Sequence, residues 1–225
     1  MDQLDSSAQW ESVLRRSPEG LGRQLHSDLL NLHVHLRDQM REKCGRSVPL
    51  ADELTDRWER ARFLGFGKGT SIYDSALVLG DVRVAENTWI GPQCVLDGSG
   101  GLEIGSSCSI ATGCQIYSHD SVEWALSGGK APYRRRPTRV GNSCYLGPGA
   151  IVAAGSTIGD HCLIGALSLV KDVIPPYSIA LGIPAKVVGR VVIHGDARVE
   201  LHYDNGRVVN FAEDAAQVMP SSSVP

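Results

Sequence analysis

Nowhere does this sequence hold the roughly eighteen consecutive apolar residues that a membrane-crossing helix needs, so no helical span is expected. Basic residues are not in excess. Lys and Arg number 22 against 25 Asp and Glu, a formal charge of −3, which offers nucleic acid or another polyanion no general attraction. The opening "MDQLDSSAQW" has neither the basic n-region nor the apolar h-region of a secretory signal, and a cytoplasmic protein is the expectation. The six cysteines form no C-x-x-C pair, the spacing of redox and zinc motifs, and in a reducing compartment a disulfide framework is not expected. What remains is a water-soluble chain of 225 residues, 42% hydrophobic, long enough for one main domain and a smaller segment.

What is present in quantity is a period of six. Ile72, Val78, Val84, Ile90 and Leu96 lie six apart, and after two extra residues in "DGSGGLE" the phase resumes at Ile104, Ile110 and Ile116. It returns at Val140, Leu146, Val152, Ile158, Ile164 and Val170. Two places before most of these aliphatics stands a small residue, among them Thr70, Ala76, Thr88, Cys94, Cys108, Cys114, Cys144, Ala150, Ser156 and Cys162. Gly follows the aliphatic at Gly91, Gly105, Gly141, Gly147, Gly159 and Gly165. Six matches neither the helical 3.6 nor the strand's 2. It matches a short strand plus a tight turn, with the aliphatic and the small residue both inward and Gly supplying turn conformations. Three hexads close a triangular coil, and stacked coils bury a continuous aliphatic core. The fourteen aliphatics counted above make nearly five coils. Five of the six cysteines fall in the small inward column, where a thiol behaves as a small hydrophobe; Cys44 does not.

The two ends follow other rules. Leu21, Leu25, Leu29, Leu32 and Leu36 recur at helical spacing, and "LADELTDRWERARFL" reads as a second amphipathic helix. Such helices are candidates to cover the open edge of the first coil. His26, His33 and His35 lie here and read as packed or solvated side chains. Beyond Arg190, "ARVELHYDNGRVVNFA" alternates about Asn205-Gly206, a hairpin signal, and the tail "VMPSSSVP" has the composition of disorder.

The repeats "IGPQCV", "IGSSCSI" and "VGNSCYLGPGAIVAAGSTIGDHCLIGALSLV", with the closing "IPPYSIALGIPAKVVGR", resemble the hexapeptide-repeat acyltransferases over roughly residues 70–190. The resemblance implies a mainly β chain: a left-handed parallel β-helix of about five coils at 69–190, preceded by a helical segment at 1–68 and followed by a hairpin and tail at 191–225. It also implies a homotrimer with sites between neighbouring β-helices, acetyl-CoA as acyl donor, and no metal. The gamma-type carbonic anhydrases share the fold but need histidines at close spacing; here His119 and His161 stand 42 apart.

Between Ile116 and Val140 the period fails, and His119 stands at the exit. A long loop in a compact repeat protein is usually functional or disordered. In the acyltransferases that this sequence resembles, a His immediately before such an excursion is the catalytic base, which makes His119 the candidate here. Imidazole suits the role, because its ordinary pKa near 6.5 leaves it unprotonated yet basic at neutral pH. Within the excursion 119–139, Trp124 is a candidate apolar face for a sugar ring, and Lys130 and Tyr133 are candidates for hydroxyls or phosphate. Asp97, beside the Gly-rich turn, is a candidate acceptor contact; Asp120 is a candidate to orient the imidazole, although adjacent strand side chains diverge. For coenzyme A the resemblance implies Gly147, Gly165, Ala166, Lys171, Pro184, Lys186 and Arg190, small turn residues for the slender arm and cations for the phosphates. The galactoside and maltose branch carries an acceptor-holding Asn where this sequence has Gly91 and Gln93. The expected function is therefore acetylation of a sugar, nucleotide-sugar or surface-polysaccharide precursor. Serine or another small-molecule acceptor, and a non-catalytic scaffold, are the alternatives.

Overall fold

The computed structural model describes residues 21–195 and 197–211; the tail expected to lack order lies outside them. These residues form two compact units that part between Leu54 and Thr55. The first holds helix α1 (Leu21–Cys44) and helix α2 (Leu50–Leu54), joined where His33 Nδ1 lies 2.8 Å from Glu53 Oε2. Among the described residues no helix is long and apolar enough to cross a membrane.

The second unit begins earlier than residue 69, because helix α3 (Arg57–Phe63) belongs to it. Asp56 caps α3 by accepting from the N–H groups of Trp58 and Glu59, both at 2.8 Å. Ala61 and the following Phe66 are buried in the same apolar cluster as the aliphatic repeats. Arg60 donates to the backbone carbonyls of Tyr73 and Ala76. One short helix thus covers the first coil and satisfies its edge carbonyls, as an unpaired sheet edge requires.

The repeats form a parallel β-solenoid with three faces. On the first face Ile72, Ile90, Ile110, Leu146, Ile164 and Ala180 stack in register, each paired in parallel with the next. The second face stacks Val78, Leu96, Ile116, Val152 and Val170. The third stacks Val84, Ile104, Val140, Ile158 and Ile174. Six rungs on the first face make about six coils, not five. Ile174 and Ala180 continue the stack although "KDVIPPYSIA" has lost the six-residue phase. Both irregularities upstream are absorbed at corners: Ile90 pairs with Ile110, 20 residues on instead of 18, and Ile110 pairs with Leu146, 36 on. The excursion therefore adds one coil's length of chain without removing a rung.

The glycine after each aliphatic serves close approach, not turn conformation. A Cβ on Gly147 would come within 2.5 Å of Ala166 N in the next coil, and one on Gly159 within 2.5 Å of Pro176 N. The left-handed turn position falls two residues later and is held by Gln93, Ser107, Ser143, His161 and Leu167 as well as by Gly113, Gly149 and Gly155. His161 is such a turn residue, its ring stacked on Tyr177 at 4.8 Å.

The small column is more polar than apolar packing alone would require. Sγ of Cys94, Cys108, Cys114 and Cys144 each lies 3.1 Å from a carbonyl oxygen of the next coil, and Sγ of Cys162 lies at 3.0 Å. Thr70 and Thr88 make the same bond through their hydroxyls at 2.6 and 2.8 Å. Hydrogen bonding to neighbouring thiols, together with burial, pushes the thiols of Cys94 and Cys144 well above the ordinary range, so they stay protonated.

After the last coil Ser178–Gly182 turns antiparallel into Ala185–Ile193, which pairs with Val199–Tyr203 and then Val208–Asn210. The Asn205-Gly206 hairpin is present as the outermost part of this sheet, with Gly206 at φ +84°.

Two measurements check this core. Ile158→Ala, which empties a site only 1% exposed, should lower stability in denaturant by about 2–5 kcal/mol; a loss below about 1 kcal/mol would contradict the aliphatic stack. A chromogenic thiol reagent should titrate Cys44, the exposed cysteine, in the native protein and all six thiols after unfolding. Prompt native reaction at the buried positions would contradict the thiol column.

Candidate active site

Two successive coils are irregular at the same corner. The first carries Asp97-Gly98-Ser99-Gly100-Gly101 after Leu96, and the second carries Tyr117-Ser118-His119 after Ile116. The glycines let these corners touch: a Cβ on Gly100 would meet Ser118 O at 2.2 Å. With no Cβ there, Gly100 N donates to Ser118 Oγ at 2.7 Å.

Asp97 lies under this contact, its side chain 1% exposed. Oδ1 accepts from Ser99 N at 2.9 Å, and Oδ2 from Ser118 N at 3.1 Å and His119 N at 3.3 Å. The same Oδ2 is 2.5 Å from His119 Nδ1. Burial pushes the Asp97 carboxyl up, but the donors from Ser99, His119 and Ser118 outweigh it and hold the group below the ordinary carboxylate range. An ionised carboxylate only accepts, so Nδ1 carries the proton and the lone pair rests on Nε2. The imidazole is 31% exposed, and Nε2 has no protein partner among the described residues.

The excursion folds back on itself. His119–Asp120 pairs antiparallel with Arg134–Arg135, and between them runs helix α4 (Val122–Leu126). Ser127 Oγ accepts from the backbone N–H of Lys130 and Ala131, closing the tip. The Trp124 and Tyr133 rings meet edge to face at 5.4 Å, and the Tyr133 ring centre lies 6.4 Å from that of His119. A wall carrying two aromatic rings therefore stands beside the imidazole, and Thr138, fully buried, returns the chain to the core.

The structure brings His119, Tyr133 and Trp124 together and leaves Lys130 exposed at the tip. Asp97 is not in a position to touch an acceptor, since both oxygens are enclosed and engaged. Asp120 is not the partner of the imidazole: it accepts from Val122 N and lies 3.8 Å from Arg136 Nη2. Coil spacing sets Asp97 level with Tyr117, because each follows its paired aliphatic, and the contact with His119 two residues farther on comes only from the fold of the two irregular corners. The residues singled out for coenzyme A are spread over three places. Gly147, Gly165 and Ala166 sit at the corner after the first face, and Lys171 at the corner after the second. Exposed Pro184, Lys186 and Arg190 sit at or beside the antiparallel strands. The stacking contact described above accounts for Gly147, and Leu181 Cδ2, 2.3 Å from a Cβ built on Gly165, accounts for that glycine. An apolar cleft of about 600 Å³ lined by Tyr145, Leu163, Val191, Leu201 and Phe211 shares no residue with the His119 corner. Among the described residues no three His, Cys, Asp or Glu side chains cluster as metal ligands.

Residues 137–172 match the family model described as bacterial transferase hexapeptide (six repeats). Over those residues the chain carries the repeat of the hexapeptide transferases. The chain is 30% identical over 168 residues to a Mycobacterium tuberculosis protein named a probable acetyltransferase, covering 74% of this chain and 55% of that one. It is 25% identical over 128 residues to galactoside O-acetyltransferase of Escherichia coli, covering 48% and 63%. The chain thus spans a little over half of each of these relatives. A crystal structure of a variant of AntD, an N-acyltransferase from Bacillus cereus in complex with dTDP and coenzyme A, shares the fold at a TM-score of 0.51. That likeness has 21% identity and covers 56% of this chain and 72% of the other.

Because the Asp97 pKa is depressed by folding, its contribution to stability is fully present above the unfolded value, about 3.9. It is lost as pH falls through the lower folded value. The gap in urea midpoint between the parent and Asp97→Asn should hold from neutral pH down to about 5 and shrink below about 4. A gap unchanged at about pH 3 would contradict the ionised, hydrogen-bonded carboxylate.

Proposed function

We propose that this protein is an acetyl-CoA-dependent acetyltransferase acting on a sugar, nucleotide-sugar or related glycan precursor, with His119 as general base. The observation that carries the reading is the short contact from buried Asp97 to His119 Nδ1, which leaves Nε2 free beside an aromatic wall. The acetyltransferase names of the curated relatives support the donor.

In the reaction Nε2 takes the proton from the acceptor's hydroxyl or amine as that atom attacks the thioester carbonyl. The carbon–sulfur bond then breaks, the acetyl group stays on the acceptor, and the proton passes to the departing thiolate to give free coenzyme A. Asp97 does not move a proton. It fixes the ring's tautomer and orientation and offsets the positive charge of the transient imidazolium. Trp124 and Tyr133 offer apolar faces to a carbohydrate ring. The donor's arm runs past Gly147, Gly165, Ala166 and Pro184 toward Lys171, Lys186 and Arg190, whose cations suit its phosphates.

The solenoid's flanks carry exposed Leu77, Leu167 and Val173, the last two about 70% exposed. Such apolar flanks on a regular prism suit closed rotational packing, and the working form in this reading is a homotrimer with sites at subunit boundaries. Light scattering should return three times the 24.2 kDa chain mass; a monomer at micromolar concentration would contradict it.

Under this assignment, His119→Ala should lower turnover by roughly 10²–10⁴-fold while coenzyme A still raises the melting temperature. Thiol release from acetyl-CoA with a panel of sugars and sugar nucleotides measures the first, and thermal shift the second. Parent-level turnover in the variant would place the base elsewhere.

A further inference from the structure

The excursion carries more positive charge than its own carboxylates balance. Between residues 119 and 139 lie Lys130, Arg134, Arg135, Arg136 and Arg139 against Asp120 and Glu123, five to two, in a chain of formal charge −3. Three of these cations are matched. Arg134 Nη2 is 2.8 Å from Glu123, Arg139 Nε 3.2 Å from Glu103, and Arg136 Nη2 3.8 Å from Asp120. The guanidinium of Arg135 has no partner among the described residues.

Its location is specific. Arg135 stands directly opposite His119 in the antiparallel pair, and residues so paired project from one face with Cβ atoms about 4.5–5.5 Å apart. Its stem starts over the Gly-rich corner, where a Cβ built on Gly100 would lie 3.2 Å from Arg135 Cβ. Asp97 is no counter-charge for it, being enclosed and bonded to His119, Ser118 and Ser99. Nor is the neighbouring polar recess of about 170 Å³ short of charge, since Asp81 answers Arg83 at 2.9 Å and Glu103 answers Arg139. An exposed arginine thus starts directly across the strand pair from His119, with its charge unanswered. Its planar fork matches phosphate or carboxylate oxygens in pairs.

We infer that Arg135 seats an anionic group of the acceptor, a phosphate or carboxylate, and so selects a phosphorylated or acidic carbohydrate over a neutral one. The inference rests on His119 as the base. Coenzyme A also carries phosphates, but its pantetheine arm separates them from the thioester, and it is the thioester that must lie at the base. The anion beside His119 therefore belongs to the acceptor.

The test is calorimetric binding of glucose 1-phosphate, glucuronate, glucose and coenzyme A to the full-length parent, Arg135→Gln, Arg135→Lys and His119→Ala. The parent should bind one of the two anionic probes about tenfold or more tightly than glucose. Arg135→Gln should abolish that preference, Arg135→Lys should keep part of it, and coenzyme A affinity should stay at the parent's value in both. No anionic preference in the parent, or a preference that survives Arg135→Gln, overturns the proposal. A loss that appears on coenzyme A also overturns it, by assigning the arginine to the donor. His119→Ala should keep the preference for the anionic probe. Should that variant also turn over at the parent's rate, the base assignment fails while the anion seat stands, so the two failures read differently.

Discussion

Each interior rung of the solenoid is hydrogen-bonded in parallel to the rung above and below, and this one pairing sets the terms for every other residue. It fixes the coil at a constant perimeter, so aliphatic side chains from successive coils lie directly over one another and exclude water along the whole axis. It brings corner backbones so close that a Cβ after the aliphatic would strike the next coil, as at Gly147 and Gly159. It leaves the corner carbonyls facing inward, where threonine hydroxyls and cysteine thiols answer them. Glycine, small polar residue and aliphatic are three consequences of a single stacking distance.

A stack of this kind accepts extra chain only where a corner can bulge outward. The two residues added after Leu96 and the excursion after Ile116 fall on the same corner in neighbouring coils. There they meet: the Gly-rich corner offers no side chains at Gly98 and Gly100, so the next coil's Ser118 and His119 sit against its backbone and its single carboxylate. In the proposed reading, the departure from regularity is also what makes chemistry possible. A regular flank is flat and open to water, whereas here a strand pair, a short helix and two aromatic rings stand over one imidazole while the aliphatic column beneath continues unbroken.

The electrostatics of the corner follow from depth. Asp97 is buried deeply enough that its charge would be costly, and the surrounding N–H donors more than offset that cost. Once ionised it can only accept, which decides the tautomer of His119 and directs the free lone pair outward. Farther out, where solvent reaches, Arg134, Arg136 and Arg139 each face a carboxylate and Arg135 does not. A buried anion orients a partly exposed imidazole, with an unanswered cation starting across the strand pair; in the proposed reading the imidazole accepts a proton and the cation seats an anion.

From the sequence alone came the period, hence the coil, its inward columns and the location of the interruption, because a repeat of six with aliphatic and small residues at fixed offsets has a single economical packing. The candidacy of His119 came from the resemblance to the hexapeptide-repeat acyltransferases, not from the period. The coil number fell short by about one because "KDVIPPYSIA" keeps the stack while losing the spacing, and burial, not periodicity, reveals Ile174 and Ala180 as rungs. The role of glycine was misjudged for a related reason: a turn dihedral is a local property, but the clash that forbids a Cβ lies a whole coil away. Asp97 is the clearest case. Its neighbours in sequence suggest a surface turn, and only the stacking of two irregular corners buries it against an imidazole 22 residues downstream. The same holds for Arg135, one of three consecutive arginines in the sequence, which differ only through the register of a two-stranded pairing that gives two of them carboxylates and sets the third opposite His119.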